Sequence, residues 1–84
     1  VNMKIKKGTP CFLCTVGHNN FYYPIYNEDG LTYFEKDIDD IKIQPWVCGK
    51  KDLAAIMVSP EGVKDLYGSN QTIVWVEKKH IKGV

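Results

Sequence analysis

The chain has 84 residues, of which 44% are hydrophobic, so it can build one small folded domain and is too short for two ordinary ones. No apolar run approaches the roughly 18 residues that cross a bilayer, and the Lys-rich start lacks the apolar core of a signal peptide. We therefore expect a soluble cytoplasmic protein with no membrane partner.

All eleven basic residues are lysine. Arginine is the side chain that binds phosphate and guanine bidentately, so its absence argues against sequence-specific recognition of nucleic acid. The wealth of Lys, Ile, Tyr and Asn fits an AT-rich genome, such as that of a bacteriophage or a low-GC bacterium.

Charge is unevenly distributed although the net charge is only +1. The segment from Glu28 to Asp40 holds six acidic residues and one lysine, a net charge of −5, while the rest holds ten lysines and four acids, a net charge of +6. This pattern predicts a dipolar surface.

The first half of the chain predicts β-strands. Residues 10–16 (PCFLCTV) are apolar and bounded by turn residues, residues 21–26 alternate, and residues 31–35 follow an Asn-Glu-Asp-Gly turn at 27–30. These segments predict a three-stranded meander. Pro24 cannot donate to a ladder, so its strand should lie at an edge or a bulge.

A short turn and a fourth strand should follow. Residues 36–40 favour one helical or 3₁₀ turn because Asp competes for backbone hydrogen bonds, and residues 41–44 alternate as a strand. This order of elements resembles that of a small SH3-like barrel. Residues 33–38 (YFEKDI) also have an echo in residues 75–81 (WVEKKHI), which indicates a strand running into a tight turn twice. We expect one domain over residues 1–84, with two pseudo-repeated β units, about 3–43 and 44–84, as a finer interpretation.

The second half admits alternatives. Residues 53–58 (LAAIMV) fit either a buried strand or a buried helix. Ser59-Pro60 fits either the start of a helix that Gly68 would end or the corner of a hairpin, and we favour the helix. Residues 72–77 (TIVWVE) are apolar on both faces and predict a central strand containing Trp75. The expected fold is mainly β, a β-rich α+β protein: an SH3-like antiparallel barrel or strongly bent sheet, with one short helix near residues 59–67.

The cysteines raise the question of a metal site. Cys11 and Cys14 with His18 resemble the start of a zinc knuckle, but the spacing to the histidine is one residue too short and the final nearby cysteine is missing. In a strand, Cys11 and Cys14 would face opposite sides. We therefore expect three reduced structural thiols and no metal or cofactor. If a metal were bound, its ligands would be Cys11, Cys14, His18 and Cys48.

We expect no enzymatic activity. His18 and His80 have no Ser or acid at a suggestive spacing, and the glycines are scattered singly, not grouped in a phosphate-binding loop. The predicted function is a non-enzymatic protein-binding or regulatory module, such as a phage-encoded inhibitor or modulator of a host or defence protein. The acidic turn and outward tyrosines would bind that partner through Glu35, Asp37, Asp39, Asp40, Tyr22 and Tyr26.

Three further interpretations stay open. The first is a nucleic-acid- or nucleotide-binding small barrel that uses Lys78, Lys79 and Lys82 together with exposed aromatics. The second is a small zinc protein. The third concerns assembly: an exposed edge strand could pair with a second copy into a homo-oligomer.

Overall fold

The computed structural model describes residues 3–16, 24–50, 52–66 and 72–83. They form eight β-strands and two single 3₁₀ turns. The strands are β1 (Met3–Ile5), β2 (Pro10–Val16), β3 (Pro24–Tyr33), β4 (Ile38–Ile41), β5 (Ile43–Gln44), β6 (Leu53–Val58), β7 (Thr72–Glu77) and β8 (Lys82–Gly83), and the 3₁₀ turns are η1 (Pro60–Gly62) and η2 (Lys78–His80). Within these ranges no helix has the length and hydropathy that a bilayer crossing requires.

The strands form two antiparallel sheets. The large sheet has the order β3-β2-β7-β6-β5, and the small sheet has the order β4-β1-β8. The fold is mainly β, as predicted. Neither sheet closes on itself within the described residues, which is consistent with the bent-sheet form of the prediction. β3 is an outer strand of the large sheet, as expected for a strand that begins with Pro24.

The core lies between the two sheets. Ile5 and Ile41 contribute from the small sheet, and Cys11, Ile56 and Val74 contribute from the large one. β7 is buried on both faces, because Val74, Trp75 and Val76 are all fully inaccessible to solvent. The prediction of a central strand at residues 72–77 is confirmed, and residues 53–58 are a strand.

The two echoed phrases carry the chain from the large sheet to the small one. After Tyr33 the chain bends into β4, and after Glu77 it passes through η2 into β8. β4 and β8 then flank β1 on its two sides. The division into two β units stays a prediction.

The predicted turn at residues 27–30 is wrong as a chain reversal. β3 runs without reversal from Pro24 to Tyr33, and its pairing with β2 shifts between Phe12↔Leu31 and Cys14↔Tyr26. Four residues of β3 thus oppose one residue of β2, which is an enlarged, special bulge. The turn residues act locally instead, since the Asp29 amide donates to Asn27 Oδ1 at 3.0 Å. The described part of the predicted meander therefore has two strands, β2 and β3. Residues 21–23, which the prediction included, lie outside the described residues.

The predicted turn at residues 36–40 is also wrong in its second part. Ile38–Ile41 is a strand paired with β1, in the register Met3↔Ile41 and Ile5↔Ile38. Asp39 and Asp40 therefore oppose the single residue between Met3 and Ile5. Asp40 absorbs the irregularity with a left-handed φ of 56°, a conformation that Asp tolerates better than most residues.

The short helix near residues 59–67 is replaced by one 3₁₀ turn. Ser59 makes no capping hydrogen bond, and the chain is extended again at Val63, which is buried and forms an isolated bridge with Phe34. The Lys64 amide donates to the Tyr33 carbonyl at 3.1 Å, so the backbone satisfies its hydrogen bonds against the outer edge of β3. The predicted stop at Gly68 lies outside the described residues.

Candidate functional site

The outer face of the large sheet, which points away from the core, carries an exposed apolar and aromatic surface. Leu31 lies opposite Phe12 and Tyr33 lies opposite Pro10, so each pair shares this face. The Phe12 and Tyr26 rings are 5.1 Å apart between centroids and tilted by 54°. We call these five residues the outer-face patch.

The patch is exposed at its edge and supported at its centre. Leu31 is 47% exposed and Tyr33 is 48% exposed, whereas Phe12 and Tyr26 are half-buried. The intervening Thr32 is buried, because it faces the core and donates through Oγ1 to the Lys64 carbonyl at 2.7 Å. β3 therefore holds Leu31 and Tyr33 outward from a fixed backbone.

A loop crosses the outer face beside the patch. Residues 45–50, which we call the strap, leave β5 at one edge of the large sheet. Lys50 Nζ lies 2.8 Å from Glu28 Oε1 and 5.9 Å from the centroid of the Tyr26 ring, both on β3 at the opposite edge. The strap therefore reaches over the outer face of the large sheet. Trp75 points to this face, which the small sheet does not cover, and is fully buried.

The ion pair at the tip of the strap shifts the titration of its members. The hydrogen bond and positive charge of Lys50 hold the pKa of the Glu28 carboxyl below its ordinary value, and the same contacts raise the pKa of Lys50. Desolvation, followed by the charge of Glu28, raises the pKa of Tyr26. All three groups keep their ordinary charge states near neutral pH.

A cavity of about 230 Å³ lies between the strap and the beginning of β6. Its apolar wall includes the half-buried Trp46, and its polar residues include a thiol, an amide, a carboxylate and two ammonium groups. The lining residues are Ile43, Gln44, Trp46, Val47, Cys48, Lys50, Asp52, Leu53, Ala54 and Lys78.

The predicted partner-binding residues fall in two separate places. Asp37 accepts a hydrogen bond from the Lys7 amide at 2.7 Å, and with Glu35 it lies at the connection between β3 and β4. Asp39 and Asp40 are exposed on β4 in the small sheet. Tyr26 lies in the large sheet and contacts Phe12 and the strap, so it does not belong to the acidic turn. Tyr22 lies outside the described residues.

The predicted anion-binding lysines are exposed but differ in their surroundings. Lys79 Nζ is 3.8 Å from a Glu77 carboxylate oxygen, and Lys78 lines the cavity. Lys82 lies on β8 directly opposite Lys4 on β1, which places two like charges across from one another.

The thiols do not converge on a metal centre in the described residues, where no three His, Cys, Asp or Glu side chains are arranged to hold an ion. Burial raises the pKa of Cys11 to about 12, and burial followed by the neighbouring Cys48 and Cys11 raises the pKa of Cys14 to about 12. Both thiols are therefore protonated at neutral pH, the opposite of what a nucleophile or a metal ligand requires. His18 lies outside the described residues.

No family model matches the chain, and no curated protein or solved structure shows significant similarity to it.

Sequence reasoning missed Leu31, the strap and the cavity. The alternation of residues 31–34 indicates that Leu31 and Tyr33 share one face of the strand. The sequence does not show which of the two faces packs against the core. Phe34 lacks the polar hydroxyl group of Tyr33, and its burial at 2% exposure leaves Tyr33 outside.

Proposed function

We propose that this protein is a non-enzymatic protein-binding module whose contact surface is the outer-face patch. The observation that supports this most directly is that Leu31 and Tyr33 are nearly half exposed, side by side on one face. Clustered apolar exposure on a small domain marks an interaction surface, and an aromatic anchor is typical of the centre of an interface.

The charges near the patch favour a basic partner. Asp29 on the bulge of β3 and Glu35 just after its end are both exposed and carry no ion pair with a described residue. Acidic groups around an apolar centre speed association with a positively charged surface and reject acidic ones. The composition adds the finer proposal that the module is phage-encoded and modulates a host or defence protein.

The test compares the patch with another exposed apolar position. The double variant Leu31→Ser/Tyr33→Ser should capture less partner from lysate of the source organism or its host, and should bind the purified partner at least tenfold more weakly. This factor corresponds to the loss of roughly 1.4 kcal/mol or more that removal of two anchor residues produces. The control is Val47→Ser on the strap, which removes an apolar side chain that is 90% exposed.

Two outcomes would contradict the proposed contact surface. If the double variant keeps its melting temperature and binds the partner as tightly as the wild-type protein does, the outer-face patch is not the contact surface. Loss of binding in Val47→Ser alone would move the interface to the strap.

A second candidate function rests on the lysine pair in the small sheet. Lys4 and Lys82 lie directly opposite one another, and the repulsion between their charges lowers the stability of the fold. A bound polyanion would relieve this repulsion. On this proposal the protein binds single-stranded nucleic acid through phosphate contacts. Lys4→Gln/Lys82→Gln should then weaken oligonucleotide binding and flatten its dependence on salt, whereas the ion-paired Lys79→Gln should change both less. Equal effects of the two variants would contradict it.

A further inference from the structure

We propose that the cavity under the strap is a binding site for a small aromatic anion, such as an aryl carboxylate. This site is separate from the outer-face patch. The inference uses the size of the cavity, the chemistry of its wall and the charge at its border.

The size of the cavity selects a one-ring ligand. Its volume of about 230 Å³ exceeds the roughly 150 Å³ of an apolar protein cavity that holds benzene. It falls below the roughly 300 Å³ at which pockets for drug-sized molecules begin. A phenyl ring with one attached carboxylate therefore fits, and a fused polycyclic ligand does not.

The wall favours an aromatic ring. Trp46 is half-buried there, and Ile43 and Leu53 add aliphatic surface. An indole stacks against a second ring in offset or edge-to-face geometry, which gives more than the burial of area alone. Ile43 on β5 and Leu53 on β6 extend from hydrogen-bonded strands, so the aliphatic part of the wall is in place before a ligand arrives.

The charged side chains at the border of the cavity favour an anion. Lys50 and Lys78 line the cavity together with one carboxylate, Asp52. Lys50 is paired with Glu28 at 2.8 Å, whereas Lys78 has no carboxylate within ion-pair distance among the described residues. The Lys78 amide donates to the Asp52 carbonyl at 2.7 Å, which fixes the backbone from which its side chain extends. An ammonium group without a described counterion beside an apolar wall matches a carboxylate attached to a ring.

The experiment uses the whole chain and three one-ring probes of almost equal size: benzoate, neutral benzamide and cationic benzylamine. The sequence contains two tryptophans, so a ¹⁵N-correlation spectrum shows two indole N–H signals, and a Trp46→Phe variant assigns them. Benzoate should shift the Trp46 signal with a Kd on the order of millimolar, as expected for so few atoms. The Trp75 signal should move less, and benzoate should bind more tightly than benzamide, with benzylamine weakest.

Two neighbouring lysines provide the matched variants. Lys78→Gln should weaken benzoate binding roughly three- to fivefold, the effect of one exposed charge pair, and leave benzamide binding unchanged. Lys79→Gln removes the same charge one residue away, outside the cavity, and should leave both ligands unaffected. The Leu31→Ser/Tyr33→Ser variant should also bind benzoate normally, so failure at the patch and failure at the cavity are distinguishable.

Several results would overturn the proposal. Equal binding of the three probes would show that the border does not select charge. Equal effects of Lys78→Gln and Lys79→Gln would assign the attraction to the general field of the protein. No shift of the Trp46 signal at saturating probe concentrations would show that the cavity is not a site for a ring.

Discussion

Trp75 offers the sharpest test of how the large sheet is held together. It is fully buried at the middle of β7, with Phe12 opposite it on β2 and Ala55 opposite it on β6. Its indole N–H is buried and has no acceptor among the described residues. The side chain therefore combines a large favourable burial with one unpaired donor, and two substitutions separate these contributions.

Trp75→Ala should lower the free energy of unfolding by about 3 to 5 kcal/mol, the cost of emptying a buried aromatic site. A domain of 84 residues has a total of about 4 to 13 kcal/mol, at roughly 0.05 to 0.15 kcal/mol per residue. Trp75→Phe keeps most of the ring and removes the unpaired donor, whose burial costs about 1 to 3 kcal/mol. This relief should offset the lost area, so Trp75→Phe should lie within about 1 kcal/mol of the wild-type protein.

The assay is urea denaturation followed by far-ultraviolet circular dichroism, because both substitutions change the fluorescence. With a slope of about 1.5 kcal/mol per molar urea, a loss of about 3 kcal/mol lowers the midpoint by roughly 2 M. Trp46→Ala, at a half-buried position, is the control and should cost clearly less than Trp75→Ala. If Trp75→Phe were as destabilising as Trp75→Ala, the indole N–H would have a strong acceptor and the unpaired-donor argument would be refuted.

The remaining predictions concern the thiols, the strap and the small sheet. Iodoacetamide at pH 8 should modify Cys48 well before Cys14, whose pKa of about 12 leaves almost no thiolate, as peptide mass mapping would show. The lowered pKa of Glu28 means that its pairing with Lys50 stabilises the fold above the ordinary value of 4.5 and loses this effect as the pH falls through the lowered value. Melting temperatures of wild type and Glu28→Gln should therefore converge in acid. Lys82→Glu should raise the free energy of unfolding by roughly 0.2 to 1 kcal/mol, since it places an opposite charge across from a lysine on β1.

Each of these has an outcome that contradicts it. Equal modification rates at Cys14 and Cys48 would mean that the strap does not shield the sheet. A constant difference between wild type and Glu28→Gln from pH 7 to pH 3 would mean that the ion pair does not form in solution. A destabilised Lys82→Glu would mean that the two lysines do not face one another.

The elements whose structure depends on the hydrophobic pattern could be predicted from the sequence. The predictions failed for elements whose structure depends on pairing between distant parts of the chain. The run around Trp75 is apolar at consecutive positions and rich in β-branched residues, which favours a strand covered on both faces, so the central strand could be predicted. The capping signals at Ser59 are local and weak. The bridge between Val63 and Phe34 outweighs them, because it pairs the backbone and also buries both side chains.

The turn signal at residues 27–30 shows a different failure. Asn27 and Asp29 do form the local hydrogen bond that their types favour. Such a turn can reverse the chain or form a bulge in a continuing strand. The outcome depends on which strand the residues after the turn pair with, and the local sequence does not determine that. The strap was unpredictable for the same reason, because its position depends on Glu28, which is 22 residues from Lys50 in sequence.

The central place of β1 in the small sheet has a consequence for the order in which the protein folds. In the large sheet, the pair Val16↔Pro24 joins residues 8 apart in sequence, whereas Met3↔Gly83 in the small sheet joins residues 80 apart. A tenfold longer loop adds about 2 kcal/mol of closure entropy. Pairing of β8 with β1 should therefore follow the rate-limiting step. Substitutions in β8 should accelerate unfolding and leave the folding rate nearly unchanged, while substitutions between β2 and β3 should slow folding.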